Sequence, residues 1–303
     1  MKKYIPIIAI VLIFLIGVGV LSYPLVSSVI NNYNMRNVAE VQVKQAAEKP
    51  NSEIEALFKE ANDYNSSLVN TVILTDPFDE EAYEKIGAHY EETFDVDGKG
   101  LIGYIDIPKI DVYLPIYHGV STEVLSRGAG HLDNTSFPVG GPSTHSVISA
   151  HSAYPTETFF DYLTEMEEGD EFYVHVLDRV LKYEVDQIKV VLPNDTSNLY
   201  VINGKDLVTL LTCTPYSVNT HRLLVRGKRV PYDPNEGTPQ NKSIATDSNY
   251  IFFLGYRVSY LTAGIAIAVF ILFVTGVVIF IILTRRRSQN KHKRIKKDGD
   301  GDG

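Results

Sequence analysis

Cysteine is nearly missing from this chain: one thiol, Cys213, stands in 303 residues. An internal disulfide is therefore impossible, and no cysteine-based metal cluster can be built. Internal repeats, a Gly-rich phosphate loop and a metal-ligand cluster are also absent, so no cofactor or metal is expected. Carboxylate pairs such as Glu167-Glu168 read as solvated charges. Basic residues are the minority, with 28 Lys and Arg against 37 Asp and Glu.

The lone thiol is either a small core residue or a reagent. It ends the run Leu207-Val208-Thr209-Leu210-Leu211-Thr212-Cys213, which reads as a buried strand stopped by Thr214-Pro215. A second strand starts soon afterwards with Arg222-Leu223-Leu224-Val225, so thiol and guanidinium can face one cleft. A thiolate attacking a carbonyl needs a proton donor for the leaving amine, and histidine is the usual supplier. Of eight histidines, His151 ends the alternating run Ser146-Val147-Ile148-Ser149-Ala150-His151 beside a loop. His145 stands at the start of the same strand, just before Ser146, and at about 3.3 Å per residue it lies roughly 20 Å away, too far to share a site. His118 and His131 read as turn or packing residues. His89, His175, His221 and His292 lack a local context that favours chemistry.

The chain ends carry long apolar runs. Tyr4 to Leu21 follows Lys2-Lys3 and is long enough to cross a bilayer at about 1.5 Å per residue. A cleaved signal peptide is the rival reading; the length of the run and the lack of a small-x-small site before Pro24 favour an uncleaved anchor. A second uncharged run, Tyr260 to Thr284, is followed by Arg285-Arg286-Arg287 and five further Lys or Arg residues. Positive charge marks the cytoplasmic side, so both termini are expected inside and residues 24 to 259 outside. Anionic lipid headgroups are the expected partner of the basic tail. With Lys2, Lys3 and the eight tail cations set aside, and Asp298, Asp300 and Asp302 likewise, 18 basic and 34 acidic residues remain, a charge near −16. That argues against nucleic acid and suits cationic, lysine-bearing partners.

Between the runs, residues 31 to 70 are polar, with Ile54, Leu57, Phe58 and Ala61 at helical spacing: a short helical stalk or cap too polar to fold alone. Another short helix is expected over Glu80 to Thr93, then a turn at Asp97-Gly98-Lys99-Gly100. From Leu101 the pattern becomes short alternating runs: Leu101 to Ile107, Val112 to Tyr117, Ser146 to His151, Glu171 to Val176, Val180 to Val191, Leu207 to Cys213 and Leu223 to Val230. Such spacing predicts a mainly β sandwich or barrel. Helices are expected near Ser121 to Arg127 and Thr156 to Met166. A polar Pro/Gly/Asn-rich linker follows Pro231.

Three segments, TLLTC at 209–213, THRLLVRG at 220–227 and SVISAHS at 146–152, resemble the signature of the sortases, cysteine transpeptidases of Gram-positive cell surfaces. The likeness extends over GYIDIPKI at 103–110, HLDNTSFPVGG at 131–141 and FFDYL at 159–163. It implies a closed β-barrel of about eight strands over residues 97–231, with Cys213 as nucleophile, His151 as acid and base, and Arg222 as the substrate-holding cation. Asp76-Pro77-Phe78 and the two terminal runs are similar to class C, pilus-polymerising members. In these an Asp-Pro-aromatic lid covers the site, so Asp76 would face Arg222 and Phe78 would cover Cys213; an ordinary Asp-Pro turn is the alternative.

The implied layout is a cytoplasmic 1–3, an anchor at 4–22, a helical extension with the lid at 24–96, the barrel at 97–231, a linker at 232–259, a transmembrane helix at 260–284 and a basic cytoplasmic tail at 285–303. The implied reaction cleaves an LPXTG-like sorting signal between Thr and Gly and passes the acyl group to a pilin lysine. The alternatives are a housekeeping-type sortase that anchors proteins to peptidoglycan, a plain thiol protease, and a non-enzymatic membrane-tethered scaffold.

Overall fold

In the computed structural model the alternating runs from Leu101 onward pair into one closed sheet. The structure describes residues 12–20, 22–23, 27, 30, 34–35, 37–38, 41, 45, 48–68, 90, 92–154, 157–236, 250–253, 256–259, 261–272, 274–276 and 279. Eight strands form the barrel: β1 (Leu101–Ile107), β2 (Val112–His118), β3 (Ala129–His131), β4 (Thr144–Ser149), β5 (Glu171–Val176), β6 (Arg179–Val191), β7 (Asp206–Thr214) and β8 (His221–Val230). Their order round the barrel is β1-β2-β3-β4-β7-β8-β6-β5, and β5 pairs back onto β1. The pairs β2/β3 and β4/β7 are parallel and the rest antiparallel. Closure leaves no barrel edge unpaired.

Several sequence expectations need correction. His131, expected in a turn or as packing, closes a strand, β3, that no alternating run announces, because three residues with a central glycine carry no period; Gly130 is required there, since a Cβ would strike the Gly119 carbonyl. The run expected to end at His151 stops at Ser149, and the His151 carbonyl instead accepts Phe160 N at 2.9 Å. Of the helix expected over Thr156 to Met166, the described residues 157–166 form an irregular loop with one 3-10 turn, Leu163–Glu165. Asp161 takes the backbone N–H groups of Ala153 and Phe159, which competes with a helical ladder. The expected helix near Ser121 is present as α2 (Thr122–Leu125), capped by the Ser121 side chain.

The polar stalk contains α1 (Asn51–Ser67). Ile54, Phe58, Ala61 and Asn65 form its buried stripe, so the helix is stable because it docks. Asn65 exchanges two hydrogen bonds with the Phe137 backbone, at 2.7 and 3.1 Å, and Arg179 lies over the Phe58 ring at 3.6 Å. Of the helix expected over Glu80 to Thr93, only Tyr90 and residues 92–93 are described; the Tyr90 hydroxyl lies 2.7 Å from His131 Nδ1.

The chain divides into two compact units, Pro24–Ser248, which holds the barrel, and Met1–Tyr23 with Asn249–Gly303. In the second unit, residues 12–20 and 261–272 are helical, and the rings of Phe14 and Phe270 lie 5.7 Å apart. Among the described residues no helix is long and apolar enough to cross a membrane. The expected linker over 232–259 ends in a hairpin, β9 (Tyr250–Phe253) with β10 (Tyr256–Ser259). The aromatic and β-branched runs on either side of Leu254-Gly255 account for it. The basic tail lies outside the described residues.

Three buried histidines set the acid limit of the fold. His131 accepts from Tyr90 and donates to the Ser136 carbonyl at 2.9 Å, and His145 donates to the Tyr200 carbonyl at 2.8 Å. Burial holds His131 and His175 down to about 3 and His145 to about 4, against the usual 6.5. Unfolding exposes them to protonation, so their contribution is lost as pH falls below 6.5. Burial raises Asp133 and Asp161 to about 6, which works in the opposite sense between 3.8 and 6, and raises Asp206 in the same direction. Four histidines, counting His151, whose pKa burial also lowers, against these three carboxylates leave about one proton of imbalance, or roughly 1.4 kcal/mol per pH unit. The urea midpoint is therefore expected to fall between pH 7 and 5, by about 1 to 2 kcal/mol of stability. A flat or rising midpoint, followed by tyrosine fluorescence, would contradict this.

Candidate active site

Cross-strand register brings the three expected residues into one row. Cys213 on β7 stands directly opposite Arg222 on β8, and Arg222 stands opposite Val191 on β6. On the other side β7 runs parallel to β4, with Ser149 beside Leu211. Hydrogen bonds carry that pairing past the end of β4: Ala150 N donates to Leu211 O at 3.1 Å, Thr212 Oγ1 to Ala150 O at 2.8 Å, and Ser152 Oγ to Cys213 O at 2.7 Å. His151 is thus the neighbour of Cys213. Because side chains alternate with period two along β7 and β8, and the pairing with β7 continues past the end of β4, His151, Cys213 and Arg222 belong to one face.

The same face supplies an apolar floor. Val147, Leu211 and Leu224, each on a catalytic strand, pack with Leu125 of α2, Leu132, Val120 and Leu199 of the β6–β7 connection. Fully burying one such side chain is worth roughly 1.5 to 3 kcal/mol, so the strand ends that carry the polar row rest on a fixed base.

Cys213 and His151 are half-buried, whereas Arg222 is only 7% exposed. Arg222 Nη1 donates to Asn219 O at 3.0 Å and His221 O at 3.1 Å, which ties the guanidinium to the turn between β7 and β8. The Tyr154 ring stacks on the imidazole of His151 at 5.4 Å and 14°, backed by Phe159 at 5.5 Å from Tyr154. Desolvation lowers the His151 pKa below 6.5, which favours the neutral ring at neutral pH.

Three other histidines lie away from the row. His145 is buried between the Tyr200 carbonyl and Thr209 Oγ1, and His131 and His118 pack in an aromatic cluster with Tyr90 and Phe137. Asp76, Pro77 and Phe78 lie outside the described residues. Among the described residues no group of His, Cys, Asp or Glu could hold a metal ion. Ser152, Tyr154, Asp161 and Tyr216, which surround the row, were not singled out for any role from sequence, since their contacts arise only when two loops meet.

Residues 105–230 match the sortase domain. Sortase C-1 of Streptococcus pneumoniae is 44% identical and superposes with a TM-score of 0.60, over 65% of this chain and 100% of that one. The chain belongs to the sortase family. The pilus-related sortase C of group B Streptococcus is 47% identical, over 63% of this chain and 96% of that chain, with a TM-score of 0.58. Sortase D of Bacillus subtilis is 31% identical over 131 residues, 42% of this chain. The match spans less than two thirds of the first curated relatives, 63% of that sortase D and 52% of Streptococcus agalactiae sortase A. Sortases are cysteine transpeptidases, and in this member the residues resembling the family signature, at 146–152, 209–213 and 220–227, are those that build the row.

Proposed function

We propose that the chain is a class C, pilus-type sortase that cleaves an LPXTG-like sorting signal between Thr and Gly and transfers the acyl group to a lysine amine of a pilin. The row of Cys213 and Arg222 on paired strands, with His151 on the loop that continues β4, carries the transpeptidase reading. The likeness to sortase C enzymes, one of them pilus-related, supports the class, as does the acidic balance of the segment between the terminal runs.

The thiolate of Cys213 attacks the threonine carbonyl, forming a C–S bond and an oxyanion. Arg222, planar and permanently charged, holds the substrate carbonyl and stabilises that oxyanion. Collapse breaks the C–N bond as imidazolium His151 protonates the departing glycine amine, leaving a thioacyl enzyme. The neutral ring then takes a proton from the incoming amine, which displaces the thiolate and forms an amide. An ordinary thiol ionises near 8.5 and His151 lies below 6.5, so the thiolate–imidazolium pair is a minor form at neutral pH.

Acceptor choice tests the class. With both a lysine-bearing pilin and a peptidoglycan-type amine supplied to the full chain, isopeptide-linked pilin is the expected product. Exclusive coupling to the peptidoglycan amine would favour the anchoring function, and hydrolysis alone would favour a protease.

We also propose that the terminal apolar runs anchor the enzyme in the cell membrane, with both termini cytoplasmic and the barrel outside. Lys2-Lys3 and Arg285-Arg286-Arg287 motivate this orientation. Protease added to sealed protoplasts should digest the barrel and spare a tag after residue 303. Loss of the tag from sealed cells would overturn the orientation.

A further inference from the structure

We propose that Asp161 is a positioning residue for the transpeptidation described above: its buried carboxylate clamps the loop that carries His151 to the loop that follows Cys213. The inference rests on the assignment of those two residues as the reacting pair.

The carboxylate collects donors from both loops. Its Oδ1 accepts Ala153 N at 2.8 Å and its Oδ2 accepts Phe159 N at 3.1 Å, which closes the segment after His151 onto itself. From the other side it accepts the hydroxyl of Tyr216, in the turn just beyond Cys213. Ala153 is held at φ 61, a left-handed conformation that a residue with a side chain seldom keeps without a fixed partner. The Phe160 N–H on the His151 carbonyl and the Ser152 hydroxyl on the Cys213 carbonyl run alongside.

Charge makes the arrangement informative. Asp161 is 7% exposed, and among the described residues no cation acts on it; burial raises its pKa to about 6. An uncompensated buried carboxylate is disfavoured unless several donors converge on it. Here the donors come from exactly the two loops whose spacing sets the distance from thiol to imidazole. Misplacing reacting groups by about 1 Å can cost a hundredfold in rate, with little effect on substrate affinity.

A residue that merely folds its own loop predicts something different, and Tyr216→Phe separates the two. That change removes the bridge between loops and leaves the Ala153 and Phe159 bonds intact. With the full chain in detergent micelles and active sites counted by Cys213 alkylation, Tyr216→Phe and Asp161→Asn should each lower kcat per site about ten- to a hundredfold. KM should stay within about twofold, and the double variant should be no more than about twofold below Asp161→Asn, because both act through one contact. Wild-type kcat in Tyr216→Phe, or losses that multiply in the double variant, would overturn the clamp.

The pH profile of Cys213 alkylation by a small thiol reagent reads the same pairing without substrate. Alkylation below the thiol's own ionisation, which draws on the minor thiolate–imidazolium form, should slow in both variants as the ring moves away. If the wild type turns over no sorting peptide, the functional reading falls, yet this profile still decides the clamp: unchanged alkylation below that ionisation in both variants would refute it.

Discussion

Cys213→Ala is expected to abolish acyl-enzyme formation while leaving the fold intact. The chain contains no other thiol, and the neighbouring Ser152 hydroxyl is committed to the Cys213 carbonyl at 2.7 Å, which the substitution preserves. The side chain is half-buried at the end of β7, and its backbone pairing with Arg222 does not depend on sulfur. Stability should therefore change by about 1 kcal/mol or less, the scale of one small buried group. Turnover should fall by at least about a thousandfold, leaving what binding and oxyanion contacts supply without a nucleophile. Near wild-type transpeptidation by the variant would end the enzyme reading.

His151→Ala is expected to lower kcat by about two to four orders of magnitude, the usual contribution of a positioned acid and base. The wild-type pH profile should be bell-shaped. Its acid limb reports the imidazole, below 6.5 because burial disfavours the charged ring, and its alkaline limb reports the thiol. The sign follows from the roles: lowering pH supplies imidazolium but removes thiolate, and raising pH does the reverse. Without the ring, residual activity should rise with thiolate alone, so the alkaline fall should disappear. A variant that kept the bell would place the acid elsewhere, and His145 could not take over, being buried against Tyr200 and Thr209.

Much of this site was legible in the sequence because two of its members sit on strands. Cys213 and Arg222 end and begin runs whose alternation and β-branched content announce a hairpin, and hairpin register fixes who faces whom. His151 was found through a strand expected to reach it; the strand stops at Ser149, but parallel pairing of β4 with β7 delivers the ring to the same row. That parallel pairing has no local signal, since β5 and β6 intervene in the chain. The irregular loop after His151 read as a helix because Phe159, Phe160 and Leu163 have helical spacing; all three are fully buried in a loop braced by Asp161. Strand β3 went unseen because a three-residue strand centred on glycine is defined by its neighbours. The docking of α1 rests on the Asn65 amide meeting the Phe137 backbone, a contact between distant segments that propensity does not encode.

The central claim is that Cys213 becomes acylated by a sorting-signal peptide and then surrenders the acyl group to an amine. Intact-mass measurement of the full chain, quenched with acid after mixing with an LPXTG peptide, tests it most directly. The account predicts an adduct equal to the peptide up to its threonine, mapped to Cys213, missing in Cys213→Ala and discharged into an amide when a lysine-bearing acceptor is added. Peptide cleavage with no adduct on Cys213, or an adduct that persists in Cys213→Ala, would contradict it.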